Sequence, residues 1–131
     1  MAEQPRPHAQ PDAVTQPFWD GIAVGKLRLQ RCRSCTRHLF YPRPVCPHCM
    51  SADLEWFDAS GSGVVYSFTT VHRAPPGFEP PYVVALVELQ EGVRMLTRLV
   101  GVEPDRVAIG LAVELAIKGD PPLPYFRPVL R

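Results

Sequence analysis

Two identically spaced cysteine pairs, Cys32-Arg33-Ser34-Cys35 and Cys46-Pro47-His48-Cys49, stand ten residues apart and constrain this chain more than any other feature. Each pair can turn both sulfurs toward one point, and two such turns face to face give tetrahedral coordination with metal–sulfur distances of about 2.3 Å. Four thiolates leave no open position for water or substrate, so the spacing predicts a closed, structural metal site rather than a catalytic one. The expected ligands are Cys32, Cys35, Cys46 and Cys49.

Two other uses of the cysteines compete with zinc. Disulfides or a redox pair would suit an oxidising compartment or a single Cys-x-x-Cys. The start, MAEQPRPHAQPDAVTQP, has no apolar segment of the secretory kind, and no apolar run reaches the ~18 residues a membrane-spanning helix needs. A cytoplasmic location without a membrane span is therefore expected, and there thiols stay reduced. Iron fits the same four-sulfur geometry, but rubredoxin sites usually place glycine where this chain has Thr36 and Met50. Zinc, one per chain, is the expected ion. With four thiolates in place, His38 and His48 read as surface or hydrogen-bonding residues.

Around the cysteines the pattern is mainly β. Residues 1–14, rich in Pro, Gln and Ala, read as a disordered tail. Thr15 is a candidate N-cap, with Pro17 in the first turn and Phe18, Trp19, Ile22 and Ala23 at helical spacing until Gly25. Leu27 and Leu29 alternate with polar neighbours as in a half-exposed strand, and Leu54 to Ala59 reads as another. Gly61-Ser62-Gly63 is a turn signal, which divides the chain into a helix-plus-ribbon unit at 15–59 and a barrel unit at 60–131. Five strand patterns follow, at Val64 to His72, Tyr82 to Gln90, Val93 to Val100, Ala112 to Ile117 and Tyr125 to Leu130. Tyr82 to Leu89 is apolar on both faces apart from Glu88, as in a strand covered on each side. The four prolines between Ala74 and Pro81 make a stiff loop that cannot join a sheet, and Glu91-Gly92 marks a tight reversal.

Charge is unevenly placed. From Gly21 to Ala52 there are six basic residues, Lys26, Arg28, Arg31, Arg33, Arg37 and Arg43, and no acidic one. Six of the chain's 14 Lys and Arg lie there, leaving eight against 13 Asp and Glu elsewhere, a net of −5. The arginines serve either to balance a four-thiolate zinc, formally −2, or to meet an anionic ligand. No glycine-flanked serine, close carboxylate pair, phosphate-cradling loop or His-Glu metal motif is present. His72-Arg73, before the proline loop, is the nearest approach to a catalytic pair, and ordinary surface is the simpler reading of it.

The aromatic helix with Phe18-Trp19, Cys-x2-Cys, x10, Cys-Pro-x-Cys, then Pro-Pro-Gly-Phe and Pro-Tyr-Val-Val-Ala-Leu-Val-Glu-Leu, resembles the acyl-CoA-associated zinc-ribbon and OB-fold family known as domain of unknown function thirty-five. Leu99-Val100-Gly101, Ile109-Gly110 and Tyr125-Phe126-Arg127-Pro128 extend the likeness to nearly the whole chain from Pro17. The resemblance implies a short N-terminal helix, a rubredoxin-like zinc ribbon and a five-stranded OB-fold barrel whose inter-strand helix is reduced to a turn at Pro104 to Ile109. It also implies a non-catalytic accessory subunit that binds a thiolase-like, aldolase-like or MaoC-like hydratase partner and helps form an acyl-CoA site in lipid, sterol or polyketide metabolism. Candidate CoA or partner contacts are then Phe18, Trp19, Arg31, Arg33, Arg37, Arg43, His72, Arg73 and Phe78. Two alternatives stand beside it. Tyr66, Phe68 and Tyr82 could serve a single-stranded nucleic-acid surface, as on many OB barrels, but the acid excess outside the ribbon opposes that. A self-sufficient acyl-CoA hydratase or aldolase subunit is the other.

Overall fold

The computed structural model describes residues 11–119 and 121–129. Of the tail expected at 1–14, residues 1–10 lie outside these. Residues 12–15 form a capping turn: Asp12 Oδ1 accepts from the backbone N–H of Val14 (3.0 Å) and Thr15 (2.9 Å), and Thr15 Oγ1 accepts from the N–H of Asp12 (3.0 Å). Thr15 itself makes no side-chain cap to α1 (Gln16–Ala23). Thr15 thus stands at the expected N-cap position, but its side chain does not cap the helix. Asp12 holds the free amides because Thr15 already has helical backbone angles, φ −94° and ψ −10°. Gly25, at φ +84°, ends the helix where the spacing predicts.

The ribbon is a three-stranded antiparallel sheet with β1 (Arg28–Cys32) between β2 (His38–Leu39) and β3 (Leu54–Asp58). β2, with two residues, is too short to leave a periodic trace in sequence. The barrel closes five strands in the order β4 (Ser62–Val71), β5 (Tyr82–Leu89), β6 (Arg94–Leu99), β8 (Leu123–Pro128), β7 (Ala112–Lys118). All its pairings are antiparallel except β6 with β8. Between β6 and β7 the chain makes only a 3-10 turn, Pro104–Arg106.

Two expectations change. Gly61-Ser62-Gly63 is not a three-residue turn: Gly61 alone turns, at φ +77°, and β4 begins at Ser62. Gly63 lies inside the sheet, opposite both Leu89 and Val113, where a Cβ would stand 2.6 Å from the Glu88 carbonyl oxygen. β5 is also not covered on both sides. Val83, Ala85, Val87 and Leu89 fill the barrel, while Tyr82, Val84, Leu86 and Glu88 point outward and are half-buried, because a single closed sheet has an interior and a solvent side.

One core spans ribbon and barrel. Phe18, Ile22, Leu27 and Leu29 join Val65, Val87, Met95, Val113 and Phe126 in one buried cluster. A second, small cluster holds Cys32, Cys46 and Leu39 around the cysteine site. Helix α1 is therefore part of the scaffold, and Phe18, at 1% exposed, is spent inside the protein.

Candidate metal centre and the adjoining cleft

The two cysteine turns meet as their spacing requires. The four Sγ atoms lie within 4.8 Å of one another, with Cys32 to Cys49 at 3.5 Å and Cys35 to Cys46 at 3.6 Å. Four sulfurs around a tetrahedral ion at about 2.3 Å stand roughly 3.8 Å apart, so the cage already has the size of such a site. Each turn is closed the same way, Thr36 N–H to Cys32 O at 2.8 Å and Met50 N–H to Cys46 O at 2.9 Å. Thr36 (φ 66°) and Met50 (φ 65°) take the left-handed conformation at the two positions where glycine would be easiest. Thr36 Oγ1 donates to the Cys35 carbonyl at 2.6 Å within its turn.

Backbone amides also aim at the sulfurs. The N–H of Cys35 points at Cys32 Sγ (3.5 Å) and that of His48 at Cys46 Sγ (3.4 Å). The Cys35 amide draws the Cys32 thiol down to about 6. Cys49 moves the other way: the Ser51 amide pulls its value down, but Cys32, burial and the other two sulfurs outweigh that and push it up to about 12. The first thiol ionises easily and the last resists, because negative charges so close repel. A cation at the centre removes that resistance, so the donor set fits a four-thiolate metal ion.

The ribbon's positive charge is mostly answered by acids that follow the second cysteine pair. Antiparallel pairing of β1 with β3 sets Arg28 opposite Asp58 and Arg31 opposite Glu55. Arg31 Nη1 reaches Glu55 Oε1 at 3.1 Å; Arg33 reaches Glu55 Oε2 at 3.2 Å and Asp53 Oδ1 at 3.1 Å; Lys26 and Arg28 both meet Asp58. The Arg33 and Arg31 hydrogen bonds hold the Glu55 carboxyl below its ordinary range. Of the six basic residues, Arg37 and Arg43 alone have no carboxylate at ion-pair distance among the described residues.

Arg37 and Arg43 line a cleft between the cysteine turns and the β5–β6 turn of the barrel. One lobe, about 390 Å³, includes His38, Arg43, His48, Val93 and Arg94; the other, about 310 Å³, includes Arg37, His38, His48 and Glu91. The sequence assigns His38 and His48 to the surface and Glu91 to a tight reversal, and gives Arg94 no role beyond its strand. The signal, one charged or imidazole residue beside each cysteine pair, has no partner until the barrel turn is brought against it. The remaining candidates lie elsewhere. Trp19 is half-buried beside Phe18 and donates Nε1–H to the Tyr41 hydroxyl at 3.2 Å. His72 and Arg73 are exposed at the far end of β4, with Phe78 near Tyr82 at 6.1 Å between ring centres. That is the opposite end of β5 from the cleft, roughly 20 Å away at about 3.3 Å per residue.

Residues 19–55 match the ChsH2 rubredoxin-like zinc ribbon domain, and residues 56–118 the ChsH2 C-terminal OB-fold domain. A "DUF35 domain-containing scaffold protein" of Methanothermobacter thermautotrophicus is 35% identical over 67% of this chain and 68% of its own length. The chain belongs to the DUF35 family. This DUF35 chain is also 32% identical to "Benzoylsuccinyl-CoA thiolase subunit BbsA" of Geobacter metallireducens, over 82% of the chain and 70% of the relative. It is 45% identical to a "Probable enoyl-CoA hydratase alpha subunit" of Thermomonospora curvata over 98% of the chain, and spans only 41% of that relative's length. Among solved structures, a chain of the "Ltp2-ChsH2(DUF35) aldolase" superposes with a TM-score of 0.84 at 43% identity, covering 95% of this chain and all of that one. Zinc ribbon and closed OB barrel are thus the fold that the family resemblance implies, and the five barrel strands are those the strand pattern predicts. No helix among the described residues is long and apolar enough to cross a membrane.

Proposed function

We propose that this DUF35 chain is a non-catalytic accessory unit that binds a thiolase-like, aldolase-like or MaoC-like hydratase protein and helps shape its acyl-CoA site. The observation that carries this reading is the superposition of 95% of this chain on the whole of a chain of an aldolase assembly. Relatives named as a scaffold, a thiolase subunit and a hydratase subunit point the same way: each name describes a part of a larger body. The ion we place in the four-sulfur cage is structural zinc, one per chain. Four thiolates close its coordination, so no residue of the site is free for acid–base or nucleophilic work. The units at 15–59 and 60–131 then act as one rigid body through their shared core, working in the cytoplasm beside the enzyme they serve.

Co-expression with a thiolase-like or aldolase-like protein encoded beside it, followed by gel filtration, tests the reading. One complex at micromolar concentration is expected; separate elution, or acyl-CoA turnover by the lone chain abolished by His72→Ala, would overturn it. Nucleic-acid binding is the second reading. Tyr66, 42% exposed, lies under the Arg94 guanidinium at 3.7 Å, an aromatic and cationic platform of the sort single strands use.

A further inference from the structure

We propose that the open edge of β4 is where two copies of this chain pair, antiparallel over residues 67–71 with the two-fold axis at Thr69. The inference is independent of the accessory reading above. On one side β4 is paired with β5 from Gly63 to Val71. On the other it pairs with β7 only from Ser62 to Val64, and the last bonds there tie Val65 to Gly110 and Leu111. Among the described residues no backbone hydrogen bond reaches residues 66–71 from that side. The crossover between β6 and β7, a single 3-10 turn, leaves residues 66–69 exposed.

Edge strands left in water are ordinarily blunted by charge or proline. Tyr66-Ser67-Phe68-Thr69-Thr70-Val71 carries neither, and it is built of residues that favour strands, so no charge on it repels a copy of itself. Apolar surface flanks it: Phe68 is 37% exposed, and Ile109, just before the Gly110 amide bonded to Val65, is 72% exposed. The register is dictated by symmetry. Directly opposed residues of an antiparallel pair share a face, so a two-fold pairing must set one residue opposite itself. The irregularity between Val65 and Ser67 takes Tyr66 out of the regular ladder, and the centre of the five regular residues is Thr69. Thr69 then faces Thr69 of the second copy, Phe68 faces Thr70 and Ser67 faces Val71, pairings of threonine with threonine and aromatic with β-branched that favour a sheet. The length fits too. β4 ends at Val71, opposite Ser67 of the second copy, so neither chain reaches the place where Gly110 already holds Val65. Five residue pairs bury less than the ~1,600 Å² of a standard interface, so the dimer is a weak, reversible one.

Sedimentation velocity of the full zinc-loaded chain, from about 1 to about 300 µM, tests this, and the monomer should give way to a dimer as concentration rises. Thr69→Lys sets like charges face to face at the axis and should leave only monomer, with an unchanged melting temperature because Thr69 is exposed. Thr69→Glu should behave alike. An equimolar mixture of the two variants should dimerise again, a rescue that loss of folding would not allow. Leu96→Lys, 67% exposed on β6 and two strands from the edge, should dimerise like wild type. A wild type that stays monomeric throughout, a Thr69→Lys variant that dimerises as well as wild type, or a mixture that stays monomeric would each overturn the proposal. So would a lone chain that is monomeric while Thr69→Lys breaks its complex with a thiolase-like or aldolase-like protein, because the edge would then belong to that partner.

Discussion

The side chain of Gln30 clamps the backbone of Arg43 on both sides: Gln30 Nε2–H donates to the Arg43 carbonyl at 3.0 Å, and the Arg43 N–H donates to Gln30 Oε1 at 2.8 Å. Gln30 is 5% exposed, in the middle of β1. This pair fixes the ten-residue segment between the cysteine pairs, and with it the second pair and the position from which Arg43 enters the cleft. It also explains why a polar residue is buried in a strand whose alternation assigns it to solvent.

Gln30→Leu keeps the volume and strands both peptide groups. Each of these part-buried hydrogen bonds contributes about 0.5–1.5 kcal/mol net, so a loss of roughly 1–3 kcal/mol in urea unfolding is expected. Metal should also leave faster to a chelator, followed by a colorimetric zinc assay. Wild-type stability in this variant would show that water replaces the amide.

Cys32→Ser or Cys49→Ser opens one corner of the sulfur cage. Metal content should fall from about one per chain to well below half, by elemental analysis, and the melting temperature should drop. Cys32 and Cys46 belong to the small cluster that stands in for a core around Leu39, so the ribbon should lose structure before the barrel. Full retention of metal by either variant would contradict the four-cysteine site.

Asp12→Ala should lower the melting temperature by about 2–5 °C by freeing the Val14 and Thr15 amides. The Thr15 amide holds the Asp12 carboxyl below its usual value. A lowered value in the folded state means this stabilisation is fully present above about pH 4 and is lost as pH falls through the folded value. The gap between wild type and variant should therefore narrow from pH 6 to pH 3 in thermal melts. Asp12→Asn should keep part of it throughout.

Gly63→Ala places a methyl 2.6 Å from the Glu88 carbonyl oxygen and 2.8 Å from Val87 Cγ1, both parts of the packed β4–β5 ladder. Backbone oxygen cannot step aside as a side chain does, so a loss of about 1–3 kcal/mol is expected in chemical denaturation. Gly92→Ala, whose Cβ would meet nothing within 4 Å, is strained only through its φ of +94° and should cost less.

The convergence of the four cysteines, the helix stop at Gly25, the reversal at Glu91-Gly92 and the strands of the barrel were legible because each is a local matter. Ligand spacing, glycine conformation and side-chain alternation act within a few residues, and the chain states them directly. Other features were settled by residues far apart in sequence. Asp53, Glu55 and Asp58 neutralise Lys26, Arg28, Arg31 and Arg33 only after β3 pairs with β1, which turns an apparently basic segment into a set of ion pairs. Gly63 reads as turn until two neighbouring strands close on it. Phe18 suits either the protein's own core or a partner surface by sequence, and only the packed structure assigns it to the core. Arg37, Arg43 and Arg94 share a cleft because the core seats the ribbon on the barrel, and charge complementarity across such a seam depends on distances that no one-dimensional pattern encodes.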